Sequence, residues 1–273
     1  MIRLWKSLYI CSGILLITAA AALAAETPPR KLLQLQAAYP DTFELAYRQE
    51  GWGVLFPDDT YIPWDEGYHH RNHSDRLAQP NLKDMFYYDY PALSASGNPY
   101  SIPSPAANED PGRIRHQEFF QAVYGRSSSE VERKLQLVSW LPDASPENAD
   151  QTLQVTSVQG IAERIIRISE QLEDLLIQHP EYLPYLYPAA GAYYWRTIAG
   201  TSRLSTHSFG IALDINPAYG SYWRWDNGSG RLPSELPLAI IRIFENEGFI
   251  WGGRWYHYDS FHFEYRPELL PLQ

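Results

Sequence analysis

The chain carries a single cysteine, Cys11, and it sits in a stretch that reads as a removable leader. Arg3 and Lys6 form a basic start, Ile10 to Leu23 is apolar apart from a few small polar residues, and Ala22-Leu23-Ala24 is a small-x-small cleavage pattern. Residues 1–25 are therefore expected to be a secretory signal peptide, with an apolar run that is short for a membrane span. Leu8-Tyr9-Ile10, just before Cys11, does not resemble a lipoprotein acylation site. Without its leader the chain has no thiol. It must then be held together by its core, and any metal site must use histidine and carboxylate. The leader implies export to the periplasm or the extracellular, cell-wall space. No stable membrane insertion is expected after its removal, because no second stretch approaches transmembrane length.

Charge narrows the functional classes. The 22 Lys and Arg, less Arg3 and Lys6, leave 20 bases against 32 acids in the mature chain. Nucleic-acid binders need a basic surface, so no nucleic-acid partner is expected. With 273 residues and 45% hydrophobic content, one sizeable domain, or one domain with a smaller companion, is within reach.

Residues 26–150 read as an irregular accessory region of unknown role, with one hairpin expected around Pro57-Asp58-Asp59. Ser129-x-x-Glu132 suggests a capping box before a short helix through Val131, Leu135 and Val138. Asp143 to Asp150 is polar and marks the expected boundary with a second domain, 151–273. There, Thr156-x-x-Gln159 suggests another capping box, opening a helix with Ile161, Ile165, Ile168, Leu172 and Leu175 on one face. The alternation of Glu163, Arg167, Glu170 and Glu173 opposite implies packing on something flat. Strand-like runs follow at 192–198, 209–216 and 261–265, with a helix at about 235–247 that stops at Gly248. This order predicts an α+β fold: a small, mostly antiparallel sheet with helices on one side.

Chemistry concentrates in two segments. In Ser205-Thr206-His207-Ser208-Phe209-Gly210-Ile211-Ala212-Leu213-Asp214, strand alternation puts Asp214 on the face opposite Ile211 and Leu213. In Asp259-Ser260-Phe261-His262-Phe263-Glu264-Tyr265, His262 and Glu264 share the face opposite the aromatics. If the two strands are neighbours, His207, Asp214 and His262 converge as a two-histidine, one-carboxylate set that zinc accepts, leaving a fourth position free. Parity alone does not choose between Asp259 and Glu264 as a general base.

The double motif Ser205-x-His207-x-x-Gly210-x-Ala212-x-Asp214 and Asp259-x-x-His262 resembles the family of zinc D-alanyl-D-alanine carboxypeptidases and L-alanyl-D-glutamate peptidases, which includes vancomycin-resistance dipeptidases and phage endolysins. Trp251-Gly252-Gly253 and Phe263-Glu264 are similar to its endopeptidase-like branch, and the resemblance covers about 155–267. It implies one zinc ion held by His207, Asp214 and His262, with Asp259 as general base and Glu264 orienting a ligand histidine. It further implies an arginine on a preceding strand to meet the oxyanion, best matched by Arg196, with Arg203 available for a substrate carboxylate. The substrate implied is the stem peptide of peptidoglycan. An aspartate as base favours the branch cleaving L-alanyl-D-glutamate-type bonds, while carboxypeptidase and endopeptidase action both stay open. A non-catalytic, zinc-containing wall-binding or signalling module on the same fold is the alternative.

Ser205, Trp255 and His257 flank these motifs and are taken as substrate contacts. Tyr222, Trp223, Trp225, Trp251 and Trp255 suit either a groove for glycan or peptide, or packing. His69-His70-x-x-His73 lacks a carboxylate at ligand spacing and reads as a solvated loop.

Overall fold

The computed structural model describes residues 27–70, 72–91, 105–144, 151–226 and 236–271; the leader expected at 1–25 lies outside them. The fold is α+β, but the strands of the described residues form three small antiparallel sheets rather than one. Strands β1 (Glu44–Arg48), β2 (Gly51–Leu55) and β3 (Tyr61–Pro63) form the first, β4 (Leu135–Trp140) and β5 (Gln151–Thr156) the second, and β6 (Ala212–Asp214), β8 (His262–Tyr265) and β7 (Phe249–Trp251) the third, in the order β6-β8-β7. The β2–β3 hairpin turns at Pro57-Asp58-Asp59, where the sequence places it. The rest of that region is more regular than its composition suggests. It holds a full meander and the helices α1 (Arg30–Ala38) and α2 (Gln117–Tyr124).

One expectation fails here. The helix expected through Leu135 and Val138 stops early, at Ser128–Glu132, and Ser127 rather than Ser129 caps it by accepting from Glu130 N. Leu135–Trp140 is a strand because Val138 and Trp140, two apart, are buried together, with Val138 opposite Leu153. The strands on either side of the boundary expected at 150, β4 and β5, are paired along their length. Hydrophobic packing is continuous across that boundary, from Leu32 and Phe119 to Phe244 and Phe263.

Helix α3 (Ile161–Gln178) lays its apolar face on β4, the flat partner its periodicity implies. It starts later than the capping-box reading suggests. Thr156 closes β5 instead, its hydroxyl accepting from Val158 N, and Gly160 precedes the helix without a side-chain cap. Helix α4 (Leu238–Asn246) packs on β7 and places Phe244 flat against Phe263, with ring centroids 3.8 Å apart and planes 15° apart. The run at 192–198 is not a strand. It makes a single isolated bridge, Thr197 with Leu204. Among the described residues, no helix is long and apolar enough to cross a membrane.

Phe244 thus joins the helix layer to the sheet that carries the motif strand. Phe244→Ala should cost about 3–5 kcal/mol, read as a lower urea midpoint at unchanged slope.

Candidate metal centre

The third sheet builds the centre. Asp214 on β6 stands opposite His262 on β8, and Ala212 opposite Glu264, so the two motifs lie in adjacent strands. His207 comes from a single helical turn, Thr206–Phe209, that ends at Gly210 with φ +66°. A side chain at Gly210 would have its Cβ 2.8 Å from Leu135 and 3.0 Å from Thr156 N. Only glycine meets both demands, and its carbonyl accepts from Thr156 N, tying the turn to β5.

Among the described residues, His207, Asp214 and His262 are the group able to hold a metal, with ligand atoms all within 4.8 Å of one another. His207 Nε2 lies 3.3 Å from His262 Nδ1 and 3.2 Å from Asp214 Oδ2. Zinc bonds of about 2.0–2.1 Å in a tetrahedron set donors roughly 3.3 Å apart, so the spacing fits. The ring partners fit as well. His207 Nδ1 donates to the Ala192 carbonyl, and His262 Nε2 donates to Glu264 Oε2 at 3.1 Å. Each bond commits one nitrogen and leaves the other facing the cluster.

Electrostatics points the same way. Burial alone would raise the Asp214 carboxyl, but the charges and hydrogen bonds of His207 and His262 outweigh it and hold the group well below the usual carboxylate range. Burial would lower His262, yet Asp214 and Glu264 push it up to about 10. A proton and a metal ion therefore compete for the same nitrogen.

Asp259 sits in a turn bonded back to Gly252, whose missing side chain lets the Asp259 carbonyl approach. Burial, reinforced by the Asp214 charge, pushes the Asp259 carboxyl up to about 6 despite nearby His262 and Arg113. Its Oδ1 is buried and has no hydrogen-bond partner. Glu264 is the opposite case. It is wholly buried and accepts from His262, Thr206, Arg115 and Arg266. Although burial raises it, Arg115 foremost among these neighbours holds it well below its ordinary value. The two carboxylates that parity leaves equivalent are thus separated by their partners: one has a free oxygen, the other none.

The arginines divide. Arg203 donates from Nη1 to the Arg113 carbonyl at 3.3 Å and has no carboxylate partner among the described residues. Burial, with Arg115 and Arg113 beside it, lowers it to about 10. Arg196 is exposed and not on a strand. Its backbone is bonded to Ser205 and Ser208, which ties it to the His207 turn.

Several flanking residues are placed differently from the reading above. Trp255 is 2% exposed, packed against the His262 ring under the Arg113 guanidinium, so it forms the wall of the centre rather than a substrate surface. Ser205 is buried at the start of the His207 turn, its carbonyl accepting from Ser208 N. His257 is anchored by Asp110, which accepts from its backbone N at 2.9 Å and pairs with its Nδ1 at 2.7 Å. Trp251 is core, its Nε1 donating to the Ser260 carbonyl, whereas Trp225 is 62% exposed and stacked on Phe261. Nor is His69-His70-x-x-His73 a solvated loop throughout. His70 is bonded to buried Asp84 at 2.8 Å, and His73 lies 3.8 Å from Asp110; only His69 is exposed. His70 thus satisfies a buried carboxylate, whereas His73 Nε2 stays without a hydrogen bond beside Asp110.

Asp110, Arg113 and Arg115 all come from the region in which the sequence shows no motif. Arg113 and Arg115 flank buried Ile114 in a segment that is neither helix nor strand, so no periodicity in the sequence marks them.

Residues 199–265 match a family described as D-alanyl-D-alanine carboxypeptidase. Over this segment the chain is similar to that family. The segment contains His207, Asp214, Asp259, His262 and Glu264, and leaves Arg113 and Arg115 outside. No curated protein and no solved structure matches the chain.

The metal-centre geometry predicts about one zinc per chain by elemental analysis. His207→Ala should lose it and Asp259→Asn should keep it. Because the metal displaces a proton from His262, uptake should release protons into weak buffer and weaken as pH falls.

Proposed function

We propose that this protein is an exported zinc metallopeptidase that hydrolyses peptide bonds in the stem peptides of bacterial peptidoglycan. The observation that carries the reading is the pairing of a convergent His207–Asp214–His262 donor set with a buried, partly unpartnered Asp259. When bound, zinc supplies Lewis acidity to a peptide carbonyl and acidifies water. The chain supplies the rest. Asp259, its carboxyl raised toward working pH, takes the proton of the attacking water at Oδ1 and returns it to the leaving amine. Arg203, short of an anion, takes a carboxylate of the substrate, and stem peptides carry several. Arg196, held beside the His207 turn, is our candidate to meet the developing oxyanion. The matched family supports peptidase chemistry and a wall-derived substrate. Export rests on the leader-like residues 1–25 and places the protein in the periplasm or the extracellular space.

A net-acidic protein gains nothing from long-range attraction to an anionic wall, so recognition falls to local contacts. Exposed Trp225 and Tyr219, near the β8 turn, offer apolar faces for this.

The test is release of D-alanine or peptide from purified stem peptides by the zinc-loaded mature chain. Asp259→Asn should lose about 10²–10⁴-fold in kcat while retaining its metal. A carboxyl near 6 is protonated, and idle as a base, below that pH. A neighbouring dication can only lower it, so the acid limb of wild-type kcat/KM should lie at or below pH 6. If a terminal amide abolishes cleavage, the protein is a carboxypeptidase; if cleavage persists, it is an endopeptidase. Zinc-loaded protein that releases nothing would sink the proposal.

A further inference from the structure

The buried carboxylate behind His262 has a partner that lies far from either motif in sequence. Arg115 approaches Glu264 with two donors, Nε to Oε1 at 3.2 Å and Nη2 to Oε2. Arg266 supplies one donor to Oε1 at 3.1 Å, and Thr206, next to His207 in the chain, donates to Oε2 at 3.1 Å. His262 Nε2 takes the remaining approach to Oε2. Glu264 is therefore held on every side, and only Arg115 holds both oxygens. A single donor leaves a carboxylate free to rotate about its last bond, whereas a fork fixes its plane. That plane determines where Oε2 sits, hence how the His262 ring is turned and where Nδ1 points.

The segment carrying Arg115 is itself pinned to both halves of the centre. Tyr256 N donates to the Glu109 carbonyl at 2.9 Å, and Arg113 Nη1 donates to the His257 carbonyl at 2.9 Å. On the other half, Leu204 N donates to Gln117 Oε1 at 2.9 Å. Residues 109–117 thus span the approaches to both motifs, and the guanidinium is presented from a fixed backbone. Charge balances too: Glu264 and Glu268 face Arg115 and Arg266, with Arg266 Nε donating to Glu268 at 2.6 Å. Removing Arg115 leaves one buried carboxylate under-compensated, directly against a ligand histidine.

We infer that Arg115 is a positioning residue for the metal centre: through Glu264 it sets the orientation and charge environment of His262, so that a residue of the N-terminal region is part of the working site. The inference rests on the reading that His262 holds zinc.

The experiment compares wild type, Arg115→Lys and Arg115→Met, with zinc affinity read by competition against a chromophoric chelator and kcat and KM read separately on a stem peptide. Arg115→Met should bind zinc about 10–100-fold more weakly and lose kcat at zinc saturation, with KM changed little. Arg115→Lys, which keeps the charge but not the fork, should fall between. If Arg115→Met does not fold, the pair Arg115→Met/Glu264→Gln removes the stranded charge and should fold with the same weakened affinity. Wild-type zinc affinity in a folded Arg115→Met, or in the double variant, overturns the inference, as does a fall in thermal stability without a change in zinc affinity or kcat. Wild type that binds zinc yet cleaves no stem peptide sinks the proposed function alone, because the chelator measurement needs no substrate.

Discussion

An ionised carboxylate removed from water is tolerated only if its charge and lone pairs are met by the protein. Glu264 imposes that demand on this fold. Meeting it takes a donor from each of four places: Arg115 before helix α2, Thr206 on the His207 turn, His262 on the same strand, and Arg266 just after it. Arg266 carries the demand onward to Glu268, and Glu268 accepts from Tyr39 just beyond helix α1 at 3.0 Å. One buried charge thus links the beginning of the described chain, its middle and its end. The same charge meets a histidine of the candidate metal centre, so the most confined part of the interior and the motif-bearing face of the β6-β8-β7 sheet are two sides of one residue.

The contrast with Asp259 shows how environment separates like groups. Both are acids near His262. Glu264 has two guanidinium groups and stays ionised, while Asp259 has burial and the neighbouring Asp214 charge and is raised. One therefore acts as a fixed anion and the other suits proton exchange near neutrality, a division of labour set by the surroundings and not by residue type.

The centre was readable because strand parity and short spacing carry it: alternation placed Asp214 and His262 on one face, and their pairing across β6 and β8 needs only that the strands be neighbours. Helix α3 and the hairpin at Pro57–Asp59 were legible for similar local reasons. Long-range pairing was not. Leu135 and Val138 fit a helical repeat as well as a strand until β5 is known to lie beside them. Arg115 is the extreme case. Its role depends on a partner 149 positions away, and nothing in its immediate neighbours announces that. The family match has the same horizon: it begins at 199 and ends at 265, while Arg113, Arg115 and Arg266 enter from outside it.

Strands β6 and β8 are short, and the ligands they present are 48 residues apart in the chain. An ion bound by His207, Asp214 and His262 is consequently a cross-link in a chain whose single cysteine, Cys11, allows no internal disulfide. Ligand binding to the folded state alone adds stability in proportion to the logarithm of free ligand over its dissociation constant. The amount of folded protein in its compartment would then follow the local metal supply: scarcity shortens its lifetime as well as idling it, and a chelating competitor could clear the protein without inhibiting it in the usual sense.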